Sequence, residues 1–150
     1  MAYVSTSDLS ARLGATLYAR LTDRVNGTSA SETVALQIVQ EAEAEANSYL
    51  AKRYATPVDL TAHPELKDVL DQRVLDLAEY LAWRGSPFVS DIPGRVQILY
   101  EQARRWFEDV AAGRVHLPAG RQVAGPVAED DSPRFQATAR KFTAEELDGL

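Results

Sequence analysis

Two histidines, His63 and His116, are the side chains best placed by type for proton transfer or metal binding near neutral pH, and the sequence gives neither a working partner. A metal site built from His63 with Asp59 would lack the further ligands that such sites require. Both histidines fall in expected loops, where a lone imidazole is solvated or capping in most proteins. Residues 23–28 begin like a calcium loop, but Arg24, Val25 and Gly27 interrupt the alternating oxygen donors, so a turn is expected. Gly113, Gly120 and Gly125 follow a helical stretch and lie among prolines, unlike a phosphate-binding loop, which follows a strand. Asn26-Gly27-Thr28 has the pattern of a glycosylation acceptor and, with no secretory signal expected, is read as a turn. There are no cysteines, hence no disulfide framework and no thiolate ligand. Catalysis needs a nucleophile with its base, a carboxylate pair with separated pKa values, or a metal. None is visible, so the expectation is a protein that is not an enzyme and carries no metal and no cofactor.

Charge argues in the same direction. The net charge of −6 opposes a nucleic-acid binder, whose affinity comes from clustered Lys and Arg on phosphates. Residues 1–112 hold 11 basic and 16 acidic side chains, and their only adjacent basic pairs are Lys52-Arg53 and Arg104-Arg105. Three glutamates, Glu41, Glu43 and Glu45, are expected on the polar face of one helix, where a solvated surface is the ordinary meaning. With 45% hydrophobic and 25% charged residues and no run of ~18 apolar residues, the chain has the balance of a globular protein without a membrane span. A cytoplasmic protein is the expectation.

The elements that position these groups are helical. Ser5, Thr6 and Ser7 offer caps ahead of Asp8, and Leu9, Leu13, Leu17 and Leu21 recur every fourth residue, with Gly14 splitting the run into two short helices. Ser31 and Glu32 start the longest helix, over residues 31–53, with Val34, Ala35, Ile38, Ala42, Ala46, Tyr49 and Leu50 as its stripe. Pro57 ends it. Pro64 then opens a helix running to Arg84, closed by Gly85, with Leu66, Val69, Leu70, Val74, Leu77, Ala78 and Leu81 facing inward. A connector over residues 86–93 leads to a last helix over residues 93–112, whose stripe is Val96, Leu99, Tyr100, Ala103, Trp106, Phe107 and Val110. The fold class is therefore all-α: a small helical bundle of three long amphipathic helices plus short N-terminal ones.

After Gly113 the periodicity stops, and the organisation is a bundle over residues 1–113 followed by an extended C-terminal arm over residues 114–150. Thr143 with Glu146 resembles a capping box for one terminal turn. Phe135, Phe142, Leu147 and Leu150 are too widely spaced to form a core and are expected to anchor on a partner surface, with residues from about Val115 onward mobile until then.

Residues 3–117 resemble the head–tail connector, or adaptor, proteins of Mu-like phages and prophages. The likeness rests on ordered signatures: Tyr3-Val4-Ser5-Thr6-Ser7-Asp8-Leu9, Arg12-Leu13-Gly14 and Leu21-Thr22-Asp23-Arg24 near the start. Ala44-Glu45-Ala46-Asn47-Ser48-Tyr49-Leu50-Ala51-Lys52-Arg53-Tyr54 and Pro57 follow. Asp76-Leu77-Ala78-Glu79-Tyr80, Tyr100-Glu101-Gln102-Ala103 and Val110-Ala111-Ala112-Gly113 complete the core, and Arg140-Lys141-Phe142-Thr143 and Leu147-Asp148-Gly149-Leu150 match the family's ending. Ala46-Asn47, the loop at residues 26–31 and the long connector at residues 86–93 depart from its pattern. The resemblance implies a structural virion neck protein assembled in the host cytoplasm, forming a ring beneath the portal with twelve copies as the expected number. Its partners would be the portal protein and the next neck or tail-terminator component, with DNA passing through the channel without sequence-specific binding. On this resemblance Arg134, Phe135, Arg140, Lys141, Phe142, Leu147 and Leu150 form the portal interface, and Glu41, Glu43 and Glu45 could face the channel.

The alternative of another class is a small DNA-packaging or regulatory DNA-binding protein; another tail-side structural protein is a rival of the same class. A gel shift with duplex DNA separates the first from the neck reading. No retarded band is expected for the purified chain at ~0.15 M salt, whereas a salt-sensitive complex would favour the DNA-binding class.

Overall fold

The computed structural model describes residues 2–118. Five α-helices occur among them: α1 (Thr6–Leu13), α2 (Ala15–Thr22), α3 (Glu32–Leu50), α4 (Lys67–Gly85) and α5 (Gly94–Ala111), with a 3-10 turn at Pro64–Leu66 leading into α4. The chain is all-α, as its periodicity requires.

The starts and stops have local causes. Ser5 caps α1: its hydroxyl accepts the Asp8 N–H while the Asp8 carboxylate accepts the Ser5 N–H, which satisfies two donors that a helix start leaves free. Gly14, at φ +79°, takes a conformation that costs other residues energy and divides α1 from α2. Ser31 caps α3 through the Val34 N–H. That helix stops at Leu50, earlier than its spacing indicates, because the backbone tightens over Ala51 to Tyr54 and turns the Tyr54 side chain into the core, where the residue is 1% exposed. The Thr56–Pro57 peptide beyond it is cis.

α4 is the central element. It touches α1, α2, α3 and α5, whereas among the described helices α5 packs on α3 and α4 alone. A helix covered on several sides has no single apolar stripe. Leu70, Val74, Leu77, Ala78, Leu81 and Ala82 are buried as expected of core positions, but so are Asp76 and Glu79 on other sides of the same helix. Val69, expected inside, is exposed. In α3 the expected stripe is buried at Ala35, Ile38, Ala42, Ala46 and Leu50, with Val39 added beneath the N-terminal segment, while Val34 and Tyr49 are half-buried. Phe107 of α5 is fully buried, stacked on Tyr49 at 6.2 Å and meeting the Trp106 ring edge-on at 5.1 Å. Tyr80 and Tyr100 stack at 3.9 Å between α4 and α5.

The residue 23–28 turn is built around one carboxylate. Asp23 Oδ1 accepts the N–H groups of Val25 and Asn26, at 2.9 and 3.1 Å, and Oδ2 those of Thr28 and Ser29, at 3.0 and 3.1 Å. Four donors stabilise the charged form and hold this carboxyl well below the usual carboxylate range. The loop folds around an anion of its own. The connector after α4 rests against it, with the Phe88 ring beside Gly27 and Arg20 donating to the Phe88 carbonyl at 3.3 Å. Asp23→Ala should accelerate hydrogen exchange at Val25, Asn26, Thr28 and Ser29 by roughly an order of magnitude while α4 and α5 amides stay protected. Because the folded-state pKa is depressed, this protection in the native protein should be complete above the ordinary carboxylate value and fail only as pH falls through the lowered one.

Candidate functional site

Asp76 and Glu79, three residues apart on α4, meet Arg12 of α1 in the interior. Arg12 Nη2 lies 2.5 Å from Asp76 Oδ1 and Arg12 Nε 2.7 Å from Glu79 Oε2, so one guanidinium serves two carboxylates. Gln72 donates to Asp76 Oδ1 at 3.3 Å, and Arg73 stands 3.8 Å from Asp76 Oδ2. Burial raises the Asp76 pKa; Arg12 and Arg73 pull it down, and Glu79 pushes it further up. Two carboxylates in unequal surroundings are a form that acid–base chemistry takes. Here the Asp76 side chain is 1% exposed, which leaves no path for a substrate. The cluster is a clamp that fixes α1 on α4.

The histidines stand apart from any such group. His63 sits at the N-cap of the 3-10 turn, with Nδ1 3.4 Å from Glu65 Oε1. The Asp59 carboxylate is occupied by the Thr61 and Ala62 N–H groups, at 2.9 and 3.3 Å, which lower its pKa. His116 is exposed. Among the described residues no three His, Asp or Glu side chains are close enough to hold a metal.

Glu41, Glu43 and Glu45 do not share one face. At about 100° per residue, Glu41 and Glu45 lie about 40° apart while Glu43 points to nearly the opposite side. Glu41 is exposed and meets Arg84 at 3.1 Å; Glu45 accepts from the Tyr100 hydroxyl at 3.2 Å and stands 3.9 Å from Arg104. Glu43 instead accepts the backbone N–H groups of Tyr3 and Val4, at 2.5 and 3.1 Å, and pins the N-terminal segment to α3. Beside it the Tyr3 hydroxyl donates to Asn47 Oδ1 at 2.7 Å and accepts the Val58 N–H at 2.8 Å.

The root of the C-terminal segment is also fixed. Gly113 turns at φ +77°, and a Cβ there would collide with the Arg53 guanidinium. Val115 and Leu117, the first apolar residues of the expected arm, pack against the core, and the Leu117 N–H donates to the buried Tyr54 hydroxyl at 2.9 Å. Bundle contacts therefore include Val115 and Leu117, which the sequence places in the arm. Arg134, Phe135, Arg140, Lys141, Phe142, Leu147 and Leu150, with the turn expected at Thr143 to Glu146, lie outside the described residues.

The run of signatures that includes these latches can be compared with known families, and a model of the family described as Bacteriophage Mu, Gp36 matches residues 3–136. The chain belongs to the Bacteriophage Mu Gp36 family. It is a Mu-like phage protein, of a structural or morphogenesis kind. The Gp36 match runs past Pro118 to include Arg134 and Phe135 and stops short of Arg140. Comparison with curated proteins finds no match. Among the described residues no helix of this Gp36-family chain is long and apolar enough to cross a membrane.

Arg12→Met should cost about 3–5 kcal/mol at pH 7, because it leaves Glu79 without its cation and Asp76 with only the more distant Arg73. The sign with pH follows from Asp76: a folded-state pKa raised above the unfolded one lowers stability as pH rises, and loss of Arg12 raises it further. Urea unfolding at pH 7 and pH 5 should show the variant recovering stability on acidification by more than the parent chain does. Equal changes in both would mean that Asp76 does not titrate against Arg12.

Proposed function

We propose that the chain is a head–tail connector adaptor of the phage neck: a subunit of a ring beneath the portal that joins head to tail and lets DNA through its channel. It acts by binding and carries out no catalysis. The observation that carries this reading is the fixed root of the C-terminal segment. An arm that bears load between two particles needs a rigid point of departure, and Leu117 leaves the bundle tied to Tyr54 next to the end of α3. The ordered signatures of the connector proteins and the family match across residues 3–136 support the same role.

In this assembly Phe135, Phe142, Leu147 and Leu150 fill apolar pockets of the portal while Arg134, Arg140 and Lys141 meet acidic groups. Glu41 and Glu45 share a side of α3 and are the pair that could face a channel together, each beside an arginine, Arg84 and Arg104, while Glu43 faces the N-terminal segment. Portal symmetry would template the ring, since the bundle offers mixed charge and no long heptad seam to a second copy.

Deleting residues 134–150 should leave helicity and melting temperature nearly unchanged, abolish co-sedimentation with portal-bearing heads, and yield heads without tails in a complementation assay. Infectious particles from the truncated protein would exclude the arm as the portal anchor. Phe142→Ala alone should reproduce a large part of the attachment loss, because aromatic anchors dominate such contacts.

A further inference from the structure

Between the N-terminal segment and α3 lies an open groove of about 350 Å³. Its floor is Val4 and Val39, its wall is the 49%-exposed Leu36 with Gln40, and Glu32 and Glu43 flank it. Among the described residues both carboxylates are held by neutral donors: Glu32 by the Thr6 hydroxyl and by the Tyr18 hydroxyl at 3.1 Å, Glu43 by the Tyr3 and Val4 N–H groups. Neutral donors orient a carboxylate without cancelling its charge. Among the described residues neither glutamate pairs with a cation, and no Lys or Arg lines the groove. An apolar slot flanked by two carboxylates that meet no cation among the described residues fits a segment that combines cations with large apolar side chains.

The chain carries such a segment itself. Arg140 and Lys141 directly precede Phe142, with Leu147 and Leu150 beyond. Reach is sufficient: 21 residues separate Pro118 from Arg140 and can span up to roughly 70 Å, while α3, from the arm's root to the groove, is about 28 Å long. We propose that residues 140–150 dock in this groove on their own subunit, with Phe142 or Leu147 over Val39 and Leu36 and with Arg140 and Lys141 against Glu32 and Glu43. The tether supplies a local concentration on the order of millimolar, so a contact of that intrinsic strength is populated about half the time. Docking shields the apolar tip until a stronger partner takes it. The inference concerns the isolated subunit and stands or falls independently of the portal.

The absence of cysteine makes the test direct. A spin label is attached to the full chain through Thr138→Cys, and paramagnetic broadening of backbone amides is read by NMR. Broadening is expected at Val4, Leu36 and Gln40, independent of protein concentration. It should fall several-fold in Leu36→Asp, whose site is exposed and whose helicity should not change, and in Arg140→Glu/Lys141→Glu, which leaves the bundle untouched. Uniform broadening without enrichment at the groove, or broadening that survives the arm's charge reversal, would overturn the proposal. So would broadening that appears only when labelled and unlabelled chains are mixed, since the occupant would then be a second copy.

Discussion

The structure depends on the neutralisation of two carboxylates inside the bundle. α4 is the helix that α1, α2, α3 and α5 all touch, and it carries Asp76 and Glu79 into the interior. A buried charge without a partner costs several kcal/mol, so this helix can occupy the centre only if a cation arrives with it. Arg12 is that cation, and it comes from an eight-residue helix too short to be stable alone. The ion cluster thus couples the weakest element of the fold to the most buried one. Once α1 is fixed, the Gly14 bend directs α2 along α4, and the Asp23 loop closes the passage to α3 around its own anion.

Much of this was legible in the sequence. The stripe of α5, the break at Gly14 and the cap at Ser31 follow from period and local chemistry, both of which act over one or two turns. The errors share a cause. Reading α4 as a surface helix with one apolar stripe puts Val69 inside and leaves Asp76 and Glu79 outside, because a one-dimensional pattern does not tell how many neighbours a helix has. Nearness in sequence groups Glu43 with Glu41 and Glu45, whereas helical rotation sends it the other way. The bond from Leu117 to Tyr54 spans 63 positions and leaves no local trace.

The signatures behind the family likeness have a physical reading in the fold. Tyr3 ties the N-terminal segment to Asn47 and Val58; Arg12 meets Asp76 and Glu79; Asp23 organises its loop; Tyr80 stacks on Tyr100; Tyr54 holds Leu117, and Gly113 leaves room for Arg53. These are contacts that close the bundle and tie Tyr3 and Leu117, near the two ends of the described residues, to it. Each of these signatures thus contributes at least one residue to a contact that holds the fold together.

The fixed root has a mechanical meaning. Tension applied to the chain beyond Pro118 meets the Leu117–Tyr54 hydrogen bond and the packing of Val115 and Leu117 before it reaches α5. Tyr54 is anchored just past α3, so the pull is passed sideways into the body of the bundle instead of unzipping α5 from its last turn. The contact acts as strain relief, like the clamp on a cable where it enters its housing. A pull at Pro118 would thus be carried by the core around Tyr54 before it loaded the last turn of α5.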